Sequence, residues 1–292
     1  MRYLGNVIRP PSEADSLILQ VVYGCPHNDC TFCGTYLEKP FRVRPFTEVV
    51  EDVTGLPGHV KQSVRRVFLA DGDAVVLPVR RLREILALLR SELPRLERVS
   101  SYATAQSLLR RDVEQLAALR EEGLTLLFLG LESGDDATLA ACAKGVTVAE
   151  QIEGCRRASQ AGIALSLTVI LGLAGEERSI EHARATGRAL SAIDPEFIGA
   201  LSLMVVEGTP QHERVRLGEF VVPGPLVLLR ELRELIAATD VTGALFRSNH
   251  ASNYLPVGGR LPEDKARLLA ALDAVLEDPA QVRLRPEAYR AL

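Results

Sequence analysis

The stretch Leu17-Ile18-Leu19-Gln20-Val21-Val22-Tyr23-Gly24-Cys25-Pro26-His27-Asn28-Asp29-Cys30-Thr31-Phe32-Cys33-Gly34 runs from an apolar segment into a loop that carries three of the chain's five cysteines. Leu17 to Val22 reads as a buried strand. Cys25, Cys30 and Cys33 follow it, with four and then two residues between them. Thiols crowded onto one strand-to-helix loop suit a soft-metal site better than a disulfide network. They are one short of the four thiolates that usually hold an iron–sulfur cluster. His27 offers a different completion, a Cys3His zinc site, but Cys25 and His27 would then turn onto one ion across Pro26. Cys142 and Cys155 fall on or beside predicted helices and read as core.

Outward from this loop, apolar runs and helical periodicity alternate. The strand readings are Ile18 to Tyr23, Arg65 to Ala70, Arg98 to Tyr102, Leu124 to Leu131, Ile163 to Leu171 and Phe197 to Val206. Helices are expected at Glu48 to Leu56 behind a Thr47 N-cap, and at Val79 to Leu93. Further helices are expected at Ser107 to Glu122, Asp135 to Ala143, Thr147 to Ala161 and Ile180 to Ile193. The strands are continuous apolar runs, the pattern of parallel strands covered on both faces. Six strand–helix units predict an α/β fold, an incomplete (β/α)6 TIM-like barrel. Residues 1–15 read as an N-terminal arm, 16–210 as the barrel, and 211–292 as a helical extension capping it. In that extension Leu226 to Thr239 and Glu263 to Glu277 are helical. Phe246 to Gly259 shows no periodicity and reads as a loop.

The 292 residues are 47% apolar and 25% charged, enough for a sizeable core, and the net charge is −4. Such a balance gives no general pull toward nucleic acid or an anionic membrane, so neither is an expected partner. No signal-peptide pattern and no membrane-spanning apolar run is present, which predicts a cytoplasmic protein. Cysteines in that compartment bind metal or catalyse more often than they form disulfides.

Chemistry in α/β barrels gathers at the carboxyl ends of the strands. Those ends carry the three cysteines, then Asp71-Gly72-Asp73, then Ser101, Tyr102 and Thr104. They go on to Glu132-Ser133-Gly134, to Gly172, Gly175 and Glu176 with Ser166 and Thr168 inside the strand, and to Met204 and Glu207. Asp71 and Asp73 are also ordinary turn residues. Glu132 at the end of an apolar strand needs a partner, either a ligand or an ion pair. Arg247, Asn249, His250, Asn253 and Tyr254 make the 246–259 segment a candidate for reaching substrate, or else a loop that satisfies its own backbone. Arg42 and Arg44 read as steering an anionic substrate or as a solvated edge.

These motifs, in this order on these elements, resemble the radical S-adenosylmethionine (SAM) enzymes over residues 16–210. Their form is similar to the branch of the anaerobic coproporphyrinogen oxidases, Elongator-type enzymes and methylthiotransferases. The commonest spacing in that family is three residues and then two, so the Pro26-His27-Asn28-Asp29 interval is one longer. The resemblance implies that Cys25, Cys30 and Cys33 hold a [4Fe–4S] cluster whose fourth iron chelates SAM. It further implies that Gly72, Asp73, Glu132 and Ser133 contact SAM's polar groups, and that Phe32, Ser166, Gly172 and Gly175 line the cofactor. An electron donor such as flavodoxin or ferredoxin and a small-molecule substrate follow, with Tyr102, His250 and Asn253 as catalytic candidates.

Overall fold

A computed structural model describes residues 1–291, so the last residue of the predicted extension, Leu292, lies outside the described residues. The chain divides into two compact units. Among the described residues, one comprises 1–28, 36–129 and 153–165, and the other comprises 29–35, 130–152 and the chain from 166 on.

In the first unit, strands β1 (Leu17–Gln20), β2 (Arg66–Ala70), β3 (Arg98–Ala103) and β4 (Leu124–Glu132, its last three residues in the second unit) pair in parallel in sequence order. Helix Val79–Glu92 buries Leu82, Ile85, Leu86 and Leu89, a 3.6-residue stripe. Each such side chain contributes about 1.5–3 kcal/mol by leaving water. The predicted helix over 107–122 is two helices, Ala105–Leu109 and Val113–Glu121. Thr104 caps the first by accepting from the Ser107 N–H, and Asp112 caps the second by accepting from the Gln115 N–H. The short helix at Phe46–Thr54 starts after Pro45, not behind a Thr47 cap. Arg44 is no solvated edge. Its buried guanidinium binds Asp52 at 2.5 Å and the Gln20 carbonyl at 3.1 Å, while Arg42 stays exposed over the Tyr23 ring.

In the second unit β5 (Ala164–Leu171, from Ser166 on), β6 (Phe197–Ser202) and β7 (Leu245–Ser248) run parallel, and β8 (Val257–Arg260) returns antiparallel to β7. The segment read as a loop therefore supplies two strands, with residues 249–256 joining them. The extension also forms helices Pro225–Ala238 and Lys265–Glu277, as expected. Burial alternates strictly along β5, with Leu165, Leu167, Val169 and Leu171 buried and Ser166, Thr168 and Ile170 half-buried. Apolar runs led to the expectation of two covered faces, but here one face is open.

Candidate functional site

The cysteine loop starts in the first unit. There Gly24 takes φ +70°, and a Cβ on it would lie 2.3 Å from the Lys39 carbonyl oxygen. Its N–H donates to Asp71 Oδ2 at 3.0 Å, which also accepts from Gln20 at 3.1 Å and pairs with Lys39 at 2.6 Å. Asp71 is fully buried at φ +72°, a left-handed conformation that costs a non-glycine residue free energy, and its Oδ1 has no partner. The next residue, Gly72, donates its N–H to the Gly24 carbonyl at 3.0 Å. A Cβ on Gly72 would stand 2.6 Å from Cys25 Cβ, so only glycine admits Cys25 this close.

Asp73 is also fully buried. Its side chain accepts from Thr104 at 2.7 Å, Ser107 at 2.5 Å and the Val76 N–H at 3.2 Å. Burial outweighs those bonds and lifts its pKa to about 6. Its carboxylate is thus committed to the turn. Tyr102 packs edge-on against Phe68 at 5.0 Å in an aromatic cluster with Phe128, and burial raises its pKa.

The loop continues in the second unit. Burial pushes the Cys30 thiol up to about 12, opposed by the Lys144 ammonium. The Thr31 N–H donates to the Cys142 carbonyl at 3.0 Å, whereas Thr31 Oγ1 is buried without a partner. Phe32 packs with Ile170, Leu173, Leu203, Phe220 and Cys142, an apolar patch beside the β5 turn. In that turn Gly172 (φ +83°) and Gly175 (φ +73°) are left-handed, and a Cβ on Gly175 would lie 3.5 Å from Phe220. Phe32 and both glycines are thus brought to one patch. Ser166 sits apart from it, half-buried on the open face of β5.

Glu132 ends β4 at φ +61° and folds back so that a Cβ on Gly130 would meet its Oε1 at 1.8 Å. Its Oε1 receives Lys144 Nζ at 3.0 Å, so the ion pair does exist. Lys144 sits among Glu132, Cys30 and Cys142, which raise its pKa against the cost of burial. Sequence reasoning missed Lys144. Its signal was a buried carboxylate needing a cation. Ser133 is buried, accepting from the Asp135 N–H on its hydroxyl and from Gln151 on its carbonyl.

Glu231 was also missed. One of several charges on its amphipathic helix, it is fully buried and accepts from Gly172 N at 2.8 Å and Ser179 Oγ at 2.6 Å, with His182 Nδ1 at 2.9 Å. It lies on the same helical face as Leu228, Leu232 and Leu235. His250 is half-buried with Nδ1 on Ser252 Oγ at 2.9 Å. Both ends of the Asn253 amide are used, Oδ1 by the Ser202 hydroxyl and Nδ2 by the Ala200 carbonyl, each at 2.8 Å. Cys142 and Cys155 are buried, as expected.

The donor set suits an iron–sulfur cluster, which takes one thiolate per iron and therefore wants its cysteines apart. Among the described residues no three His, Cys, Asp or Glu side chains are gathered to hold a single metal ion. In the first unit Asp71 Oδ1 is buried without a partner, and in the second unit so is Thr31 Oγ1. Among the described residues no helix is long and apolar enough to cross a membrane.

Residues 19–185 match the family model described as the radical SAM superfamily. An uncharacterized protein of Methanopyrus kandleri is 28% identical over 74% of the chain and 42% of its own length. An uncharacterized methyltransferase of Pyrococcus horikoshii is 25% identical over 76% of the chain and 46% of its own length. The chain thus spans less than half the length of these curated relatives. In fold it is similar to coproporphyrinogen III oxidase from Escherichia coli, with TM-score 0.60 and 16% identity over 76% of this chain and 51% of that one. The fold is that of the radical SAM partial TIM barrel, and the chain is an enzyme that belongs to the radical SAM superfamily, whose cofactors are a [4Fe–4S] cluster and SAM.

Proposed function

We propose that Cys25, Cys30 and Cys33 bind three irons of a [4Fe–4S] cluster and that SAM binds at the fourth. When bound and reduced by one electron, this pair supplies a 5′-deoxyadenosyl radical, from cleavage of SAM to methionine, that takes hydrogen from a small-molecule substrate. The reductant would be a flavodoxin- or ferredoxin-type donor. The single observation that carries the reading is the cradle of Gly24, Asp71 and Gly72 around Cys25. A buried carboxylate and two close backbone approaches are spent there on placing one thiol.

The chain's own residues would do the following. Glu132 and Lys144 present one carboxylate and one ammonium 3.0 Å apart, opposite charges matched to the zwitterionic end of an amino acid. Gly72 and Asp73 offer backbone groups, since the Asp73 side chain is engaged. Ser133 braces the Glu132 turn. Phe32, Gly172 and Gly175 give the adenine an apolar patch. Ser166 faces substrate from the open side of β5. Tyr102 and His250 are the groups we assign to proton handling, and Asn253 to holding residues 249–256 against β6. We further propose that 16–210 form the catalytic barrel and 211–292 an extension that closes it.

The test is anaerobic reconstitution with iron and sulfide. The wild type should take up roughly four irons per chain and turn brown, while C25A, C30A and C33A each lose the cluster. Wild-type protein that binds zinc and stays colourless would refute the reading.

A further inference from the structure

One row crosses the open face of the second unit's sheet. Thr168 on β5 is in register with Gly199 on β6, Gly199 with Arg247 on β7, and Arg247 with Gly258 on β8. Side chains alternate faces along a strand. Arg247 therefore shares a face with half-buried Thr168, and its neighbours Phe246 and Ser248 are fully buried on the other. Both positions flanking Arg247 in the row are glycine. A Cβ on Gly258 would lie 3.9 Å from Arg247 Cγ, whereas one on Gly199 would meet Leu167, Leu201 and Thr168 instead. A recess of about 340 Å³ opens at the β7–β8 hairpin, lined by Leu245, Phe246, Arg247, Asn249, Val257 and Gly258 among others.

No carboxylate answers the charge. Among the described residues the Arg247 side chain makes neither a salt bridge nor a hydrogen bond, and the Asn249 amide, two residues along the chain, makes none either. Arg233, Arg267 and Arg290 of the same extension pair with Asp273, Asp264 and Glu287 at 2.9, 3.1 and 2.8 Å, whereas among the described residues Arg230 and Arg283 share the unpaired state of Arg247 without lining the recess. An exposed guanidinium fork with a neighbouring exposed amide, both lining one recess, matches the geometry of planar or tetrahedral oxyanions.

We propose that Arg247, with Asn249 beside it, docks an anionic group of the substrate, a carboxylate or a phosphate. This rests on the proposed function, in which the open face of β5 to β7 looks onto substrate. It makes the substrate an acid or phosphate ester whose charged end is held away from the carbon that loses hydrogen.

The experiment titrates the anaerobically reconstituted protein with succinate, inorganic phosphate and neutral succinamide, read by ligand-observed NMR. Wild type should bind at least one of the two anions and not succinamide, the preferred anion naming the group. R247Q should weaken that binding tenfold or more, and R247E should abolish it, with melting curves and iron content like wild type. Wild type that binds neither anion, or R247Q and R247E that bind like wild type, would overturn the proposal. Formation of 5′-deoxyadenosine by the wild type is scored separately. If it forms while the anions fail to bind, the Arg247 assignment alone falls. If it does not form, the proposed function falls too.

Discussion

The backbone N–H of Gly172 donates to Oε1 of Glu231 at 2.8 Å, tying the turn after β5 to a fully buried carboxylate on the helix Pro225–Ala238. Ser179 and His182 bind the same carboxylate, so its removal strands several buried donors together. E231A should cost about 3–5 kcal/mol, because a broken buried polar network leaves its partners unsatisfied. E231Q, which keeps an acceptor, should lose less and partly restore the melting temperature. Thermal denaturation of both checks this, and an E231A that melts like wild type would contradict it.

At Gly72 the constraint is steric. An alanine Cβ would stand 2.6 Å from Cys25 Cβ and 2.7 Å from its Cα, and neither can yield without moving the loop. G72A should fold, with near-wild-type circular dichroism, but retain less than half of the iron of the reconstituted wild type. Full iron in G72A would show that the approach of Gly72 to Cys25 is incidental.

The Glu132–Lys144 pair is partly buried at 3.0 Å. K144M leaves Glu132 without its cation and should cost about 3–5 kcal/mol of stability. If the pair also receives the amino-acid end of SAM, K144R should fold and bind SAM more weakly than wild type by equilibrium dialysis. Unchanged SAM affinity in K144R would confine the lysine to a structural part.

Much of this was legible in the sequence for a physical reason. Parallel strands are apolar runs, helices repeat every 3.6 residues, and polar residues that end a strand stand out, so six strands and the Cys25, Gly72, Glu132 and Gly172 motifs could be read off. What escaped depended on tertiary partners. Glu231 looks like any charge on an amphipathic helix until Leu228 and Leu232 bury the same face. Arg44 looks like a rim charge until Asp52 pairs with it. β7 and β8 are short and carry Gly258 and Gly259, so they lack the apolar run that marks a strand.

Asp73 gives a pH test with a definite sign. Burial raises its pKa from 3.8 to about 6, so the folded state holds the proton more tightly than the unfolded one. Its contribution to stability is fully present below about pH 4 and is lost as pH rises through about 6. D73N carries no titrating group, and its amide can donate to the Thr104 and Ser107 hydroxyls. Relative to wild type, D73N should gain roughly 2–3 kcal/mol between pH 4 and pH 6.5 and then level off. Urea unfolding of both proteins across that range checks it, and a pH-independent difference would contradict it.

The central claim is that three thiols on one loop bind a cluster at which SAM is cleaved. The most direct measurement is 5′-deoxyadenosine formed by anaerobically reconstituted, dithionite-reduced protein supplied with SAM, beside a C25A/C30A/C33A control. The account predicts 5′-deoxyadenosine and methionine in equal amounts from the wild type and none from the control. Wild-type protein with a full complement of iron that forms neither product would contradict it.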